Sequence, residues 1–197
     1  MKKPALGIVL TVMLFVFCDH VASQIVPSIS IGYSNYCFHN NSNDNIENVF
    51  SFKFKPIVAF KTSIERYMER RRYTFMTGLT LIYNGAFDEF FGTWRNMYGG
   101  VVLGGAYRVF KSFRIGVKTT PCLRIFSSPG VGGQGGGLSD KRKQHYFIDI
   151  LPFASYAVSK RSMVQIEYSY GLNNAIKTGR GIDYSINSLF LSWNYVL

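Results

Sequence analysis

The sequence predicts an all-β fold: an eight-stranded antiparallel up-and-down transmembrane β-barrel. Three observations predict it. About eight segments alternate large apolar residues with small or polar ones, the period-two signature of strands with unlike faces. The connections between them alternate in length, short ones between longer ones rich in Asn and Gly, as in barrels that cross an outer membrane. Finally, the last segment, residues 184–197, alternates to the end, with Leu189, Leu191, Trp193, Tyr195 and Leu197 on one face. A sheet ending on such a strand leaves a sticky edge unless the last strand pairs with the first.

The bulk properties agree. The 197 residues suit one domain, and 17 Phe, 13 Tyr and 19 Gly supply strand formers and turns. The net charge of +11 comes from basic residues scattered along the strands rather than gathered in a stripe, which argues against nucleic acid as a partner. Lys2 and Lys3, the apolar run 5–17 and the small residues Ala22 and Ser23 have the layout of a signal peptide. Residues 1–23 are therefore expected to be a leader and 24–197 the barrel. Beyond the leader no apolar run has the length of a membrane helix, so membrane residence requires a barrel.

In chain order, strand one covers 27–36, with Ile29, Ile31 and Tyr33 sharing a face, and an Asn-rich loop follows. Strand two is expected over 49–61, with Phe50 to Phe60 alternating against Ser51, Lys53, Lys55 and Lys61. The charged stretch 62–71 reads as a connection containing a helical turn. Strand three, 72–84, turns Tyr73, Phe75, Leu79 and Leu81 outward and Arg72, Thr74, Met76 and Thr80 inward. An aromatic loop over 85–96 leads to strand four, 97–110, whose second face is small until Arg108. After a tight turn at 111–112, strand five, 113–126, sends Arg114, Lys118 and Arg124 inward. A glycine-rich loop, 127–144, precedes strand six, 145–158, which carries Asp149. A turn at 159–161 then introduces strand seven, 162–171, with Gln165 and Glu167 inward.

The charges say which face meets lipid. Lys53, Lys55, Lys61, Arg72, Arg108, Arg114, Lys118, Arg124, Asp149 and Glu167 all fall opposite the apolar residues. A soluble barrel would have to pack the many large apolar side chains inside, and eight strands enclose too little room for them. The small and charged face therefore lines the lumen. Tyr83, Trp94, Tyr156, Trp193 and Tyr195 near strand ends read as interfacial girdles.

The stretch Arg161-Ser-Met-Val-Gln-Ile-Glu-Tyr-Ser-Tyr-Gly-Leu-Asn-Asn-Ala175, followed by a loop and a closing alternating strand, resembles the end of the PorT-like outer-membrane β-barrel family. The motif likeness covers 162–197, and the chain departs from the family pattern in ending Tyr195-Val-Leu197 instead of on an aromatic residue. The resemblance implies an integral barrel of the bacterial outer membrane that in some members serves a secretion apparatus, without catalytic residues.

Candidate chemistry is sparse. Gly130-Val-Gly-Gly-Gln-Gly135 matches GxGxxG, but no apolar-periodic helix follows to hold a pyrophosphate, so it reads as an outer loop. His39 and His145, with Ser34, Ser42 or Asp44, supply the residue types of a lipid hydrolase without a nucleophile motif. The basic run 141–143 is a solvated loop or a contact for lipopolysaccharide phosphates. Cys37 and Cys122 fall on opposite parities, which argues against a disulfide.

The inward charges form the expected site: a lumen network of Lys53, Lys55, Arg72, Arg108, Arg114, Lys118, Arg124, Asp149 and Glu167. Buried charges must be paired or hydrated, so Glu167 and Asp149 are expected to pair with Arg114, Lys118 or Lys53. The expected role is structural or interaction-based, with both termini periplasmic. Outer-membrane lipid, the barrel-assembly machinery and other envelope or secretion proteins are the expected partners, and no cofactor, metal or catalytic residue is assigned. The rival readings are a lipid hydrolase, a small anion-preferring pore and a soluble ligand-binding barrel.

Overall fold

The computed structural model describes residues 23–40, 55–88, 92–128, 146–172, 176–177 and 182–197. Residues 1–22 of the expected leader, Lys53, Ser42, Asp44, His145, the GxGxxG stretch and the basic run 141–143 lie outside them, while Ser23 opens the first strand.

The strands are β1 (Ser23–Asn40), β2 (Lys55–Arg70), β3 (Tyr73–Asp88), β4 (Gly92–Phe110), β5 (Phe113–Thr119), β6 (Cys122–Ser128), β7 (Tyr146–Phe147), β8 (Asp149–Ala157), β9 (Ser162–Gly171), β10 (Ile176–Lys177) and β11 (Ile182–Tyr195). β5 and β6 form one stave broken at Thr120 and Pro121, where proline lacks a ladder N–H. β7 and β8 form another, and β10 is a short addition to β11. The result is a closed eight-stranded antiparallel barrel. Sequential staves pair throughout, and β1 closes on β11 over a long register from Ser28 opposite Asn194 to Asn40 opposite Ile182.

Two connections differ from expectation. Residues 62–71 are not a helical connection; nearly all of them continue β2, and the hairpin closes in a two-residue turn at Arg71 and Arg72. Arg71 adopts φ 55°, the left-handed conformation a turn this tight demands. The aromatic stretch 85–96 is likewise mostly strand, with β3 reaching Asp88 and β4 starting at Gly92. Both misreadings have one cause. Dense charge and clustered aromatics look like loop composition, yet strands longer than the 9–11 residues that cross a bilayer project beyond it at both ends.

The alternation sorts the faces as expected. Ile29, Ile64, Leu79, Leu123, Ile166 and Leu191 all point outward, and Ile29 is 74% exposed. The inward set includes Ser28, Ser30, Thr74, Thr80, Ser169 and Ser192, all buried. A barrel with this exterior is built for lipid, and the soluble reading, which needs the opposite arrangement, fails. Tyr156, Trp193 and Tyr195 stand on the outer wall as expected, whereas Trp94 points inward and is buried. Trp94 belongs to an apolar lumen cluster at the long-loop end with Tyr36, Ile82, Tyr98, Phe147 and Phe190. A second cluster, Val26, Tyr67, Met76, Ala106, Phe153 and Met163, fills the lumen toward the short turns. Gly116 makes room for it: a Cβ there would lie 2.7 Å from the Phe153 ring and 2.4 Å from the Gly105 carbonyl oxygen.

Candidate functional site

Between the two apolar clusters the lumen is ionic. Lys61 comes from the middle of β2, where Ser30 on β1 and Ile82 on β3 flank it. Its ammonium is paired with the Glu167 carboxylate of β9, and both side chains are 1% exposed. The same ammonium lies 5.9 Å from the centre of the Phe190 ring. Gln165 Nε2 donates to the other Glu167 oxygen at 2.7 Å, and Asn194 Nδ2 donates to Gln165 Oε1 at 3.3 Å. Each carboxylate oxygen thus has a protein donor.

Four residues further along β2, Glu65 is reached by Lys118 of β5. Its Nζ lies 2.8 Å from Oε2 and 3.0 Å from Oε1, and both side chains are 2% exposed. Ser63 Oγ donates to Glu65 Oε1 at 2.8 Å, and the Lys118 ammonium sits 5.0 Å from the centre of the Phe153 ring. These pairs are charge-assisted hydrogen bonds in a low-dielectric setting, where an unpaired charge costs several kcal/mol.

At the short-turn mouth a third group forms. Glu69 accepts from Arg108 at 2.5 Å and from Arg114 at 2.7 Å, one guanidinium per carboxylate oxygen. It is more open, with side-chain exposures between 16% and 30%.

Among the described residues Asp149 takes no cation in its hydrogen-bonding shell. It accepts from the Thr120 backbone N–H at 3.1 Å, from the Thr120 hydroxyl, and from Ser169 Oγ at 2.5 Å. Three donors at the break in the β5–β6 stave replace the counter-ion that the sequence suggested. Cys122 beside this break is buried and carries a free thiol.

The expected network is therefore partly redistributed. Arg108, Arg114, Lys118, Asp149 and Glu167 line the lumen, but Glu167 pairs with Lys61 and not with Arg114 or Lys118. Arg124, half-buried, stands opposite Tyr98 toward the long-loop end. Lys55 is exposed at the long-loop rim opposite Phe87. Arg72 is not in the lumen: it lies exposed in the turn, and its Nη1 donates to the Tyr107 hydroxyl at 3.1 Å. Glu65 and Glu69, the partners of three of these cations, were hidden in the stretch read as a connection. The signal that finds them is parity: from Lys61, every second residue through Ser63, Glu65, Tyr67 and Glu69 faces inward.

Of the hydrolase candidates, Ser34 is buried in the lumen, donating to the Gly85 carbonyl at 2.7 Å and accepting from the Gly85 N–H at 2.8 Å. His39 lies five residues further along β1.

No family model and no curated protein matches the sequence. Among solved structures, the chain is similar to Neisserial surface protein A at TM-score 0.55 and 11% identity, covering 88% of this chain and 98% of that one. It is also similar to the attachment invasion locus protein Ail of Yersinia pestis (TM-score 0.40, 12% identity, 87% and 98% covered). A third similar structure is the outer membrane protein AlkL, with TM-score 0.42, 12% identity, and 91% and 92% covered. At 11% identity the likeness to Neisserial surface protein A establishes the fold alone.

Proposed function

We propose that this protein is an integral barrel of the bacterial outer membrane with a permanently sealed lumen, acting as a structural or interaction component of an envelope assembly through its rims and outer wall. The observation that carries this is the double ion pair across mid-lumen, Lys61 with Glu167 and Lys118 with Glu65, none more than 2% exposed. Two apolar clusters bracket it along the lumen. An anion pore needs unpaired cations along an open bore, and here the mid-lumen cations are consumed by carboxylates.

Both ends of the barrel chain lie at the short-turn rim, where the Leu197 N–H donates to the Ile25 carbonyl at 3.0 Å. In the outer membrane that rim is the periplasmic one. The PorT-like character of 162–197 supports a role beside secretion or envelope proteins, with insertion by the barrel-assembly machinery. The test is planar-bilayer recording of the refolded chain, with unboiled gel mobility confirming the barrel. Sealed bilayers without steady conductance are expected; stable ionic steps would overturn the plug.

A further inference from the structure

We propose that the end of the β2–β3 hairpin holds the phosphate headgroup of an anionic phospholipid. The run Glu65-Arg66-Tyr67-Met68-Glu69-Arg70-Arg71-Arg72 contains two acids and four bases, and strand parity separates them. Glu65 and Glu69 face the lumen, where Lys118, Arg108 and Arg114 take them. Arg66 and Arg70 share the outward parity of Ile64 and Phe60, and Arg71 and Arg72 are exposed in the turn. The outer side of this hairpin is therefore cationic with no carboxylate facing it from β2, β3 or β4 among the described residues whose side chains are placed.

A cavity of about 420 Å³ lies there, lined by Arg70, Arg71, Tyr73 and Phe75. Neither lining arginine has a hydrogen-bond or ion-pair partner among the described residues, in contrast to Arg66, which donates to Ser23 Oγ at 3.2 Å, and Arg72, which is held by Tyr107. The aromatic wall is braced, since the Tyr73 and Tyr107 rings pack 5.4 Å apart. Tyr73 and Phe75 are 58% and 53% exposed on the same outer band as Leu79 and Leu81. The cavity thus has one cationic end at the rim and one apolar end running into the lipid-facing wall. That two-ended chemistry fits a headgroup phosphate with its acyl chain attached. A soluble anion would leave the aromatic wall unused, and an acidic protein would approach from water and miss it.

The proposal rests on the membrane reading of the outer wall, and the experiment reports that reading separately. The full barrel, refolded in detergent and checked for the boiled-versus-unboiled gel shift, is titrated with dioleoylphosphatidylglycerol or dioleoylphosphatidylcholine. Retained lipid is counted by native mass spectrometry. Wild type should retain one phosphatidylglycerol at about a tenth of the phosphatidylcholine concentration. R70Q/R71N should erase the difference. Arg70→Gln alone, which leaves the turn untouched, should reduce it and covers the case in which the double variant does not fold. K160Q/R161Q, at another short turn, should keep the preference. Equal retention of both lipids by wild type overturns the proposal, as does equal loss in K160Q/R161Q, which would mean diffuse charge. Displacement by free glycerol 1-phosphate as readily as by the lipid would assign a soluble anion, and binding of a polyglutamate peptide without lipid preference would assign an acidic protein. A chain with no gel shift would sink the membrane reading itself.

Discussion

The mid-lumen and the short-turn mouth use the same chemistry, carboxylates against cations across the barrel, in two different solvents. In mid-lumen the Lys61–Glu167 and Lys118–Glu65 side chains are at most 2% exposed, and serine, glutamine and aromatic rings complete their shells. At the mouth, Glu69 is shared by two arginines that water reaches. The contrast teaches that a charge count does not give the worth of an ion pair. Deep charges are expensive to desolvate and therefore intolerant of losing a partner, while mouth charges are hydrated with or without one.

The comparison breaks most readily at Glu167. Glu167→Gln leaves Lys61 facing a neutral amide inside an apolar sleeve, and it should cost about 3–5 kcal/mol. The denaturant midpoint of the refolded barrel, followed by unboiled gel mobility, measures it, and an unchanged midpoint would sink the account of the deep pair. Glu65→Gln should behave alike through Lys118. Removing both partners sharpens the point: Lys61→Met combined with Glu167→Leu should recover most of the loss, ending within about 1 kcal/mol of wild type, because two matched charges are replaced by packing. A double variant as unstable as the single one would mean that the pair stabilises the fold outright. Smaller still is the mouth. Glu69→Gln should cost no more than about 1 kcal/mol. Raising the salt from 0.05 to about 0.5 M should shrink that difference, since exposed charges are screened within about 10 Å or less. The Glu167→Gln difference should persist in the same salt series; if it fades in parallel, the two regions are not electrostatically distinct.

Much of this architecture is legible in the residues. Strict alternation fixes which residues face lipid, and the charged parity marks the lumen before any coordinates. Strand seven spans 162–171 on both readings. What escaped is instructive. Glu65 and Glu69 were lost because a stretch with six charges in eight residues resembles a solvated connection, although each charge sits on the parity its environment requires. Arg72 was misplaced because strand three begins one residue later than expected, at Tyr73, which leaves Arg72 in the turn. Trp94 was sent to the girdle by its composition-rich neighbourhood, when alternation running back from Tyr98 places it inside. Partner choice is harder to read than facing: Glu167 finds Lys61 because β9 and β2 confront each other across the closed bore, a relation that parity along single strands does not contain.

That confrontation also governs the order of assembly. The Lys61–Glu167 pair joins β2 to β9 across the β1–β11 seam, 106 residues apart along the chain. It cannot form while that seam is open, whereas Glu65 and Glu69 find their cations within the staves from β2 to β5. A sheet open at that seam would carry Lys61 and Glu167 bare, with β1 and β11 as raw edges. Folding rate falls as contacts become more distant in sequence. Here the contact most distant in sequence is also the one that shields two deep charges, and it is made only when β11 meets β1.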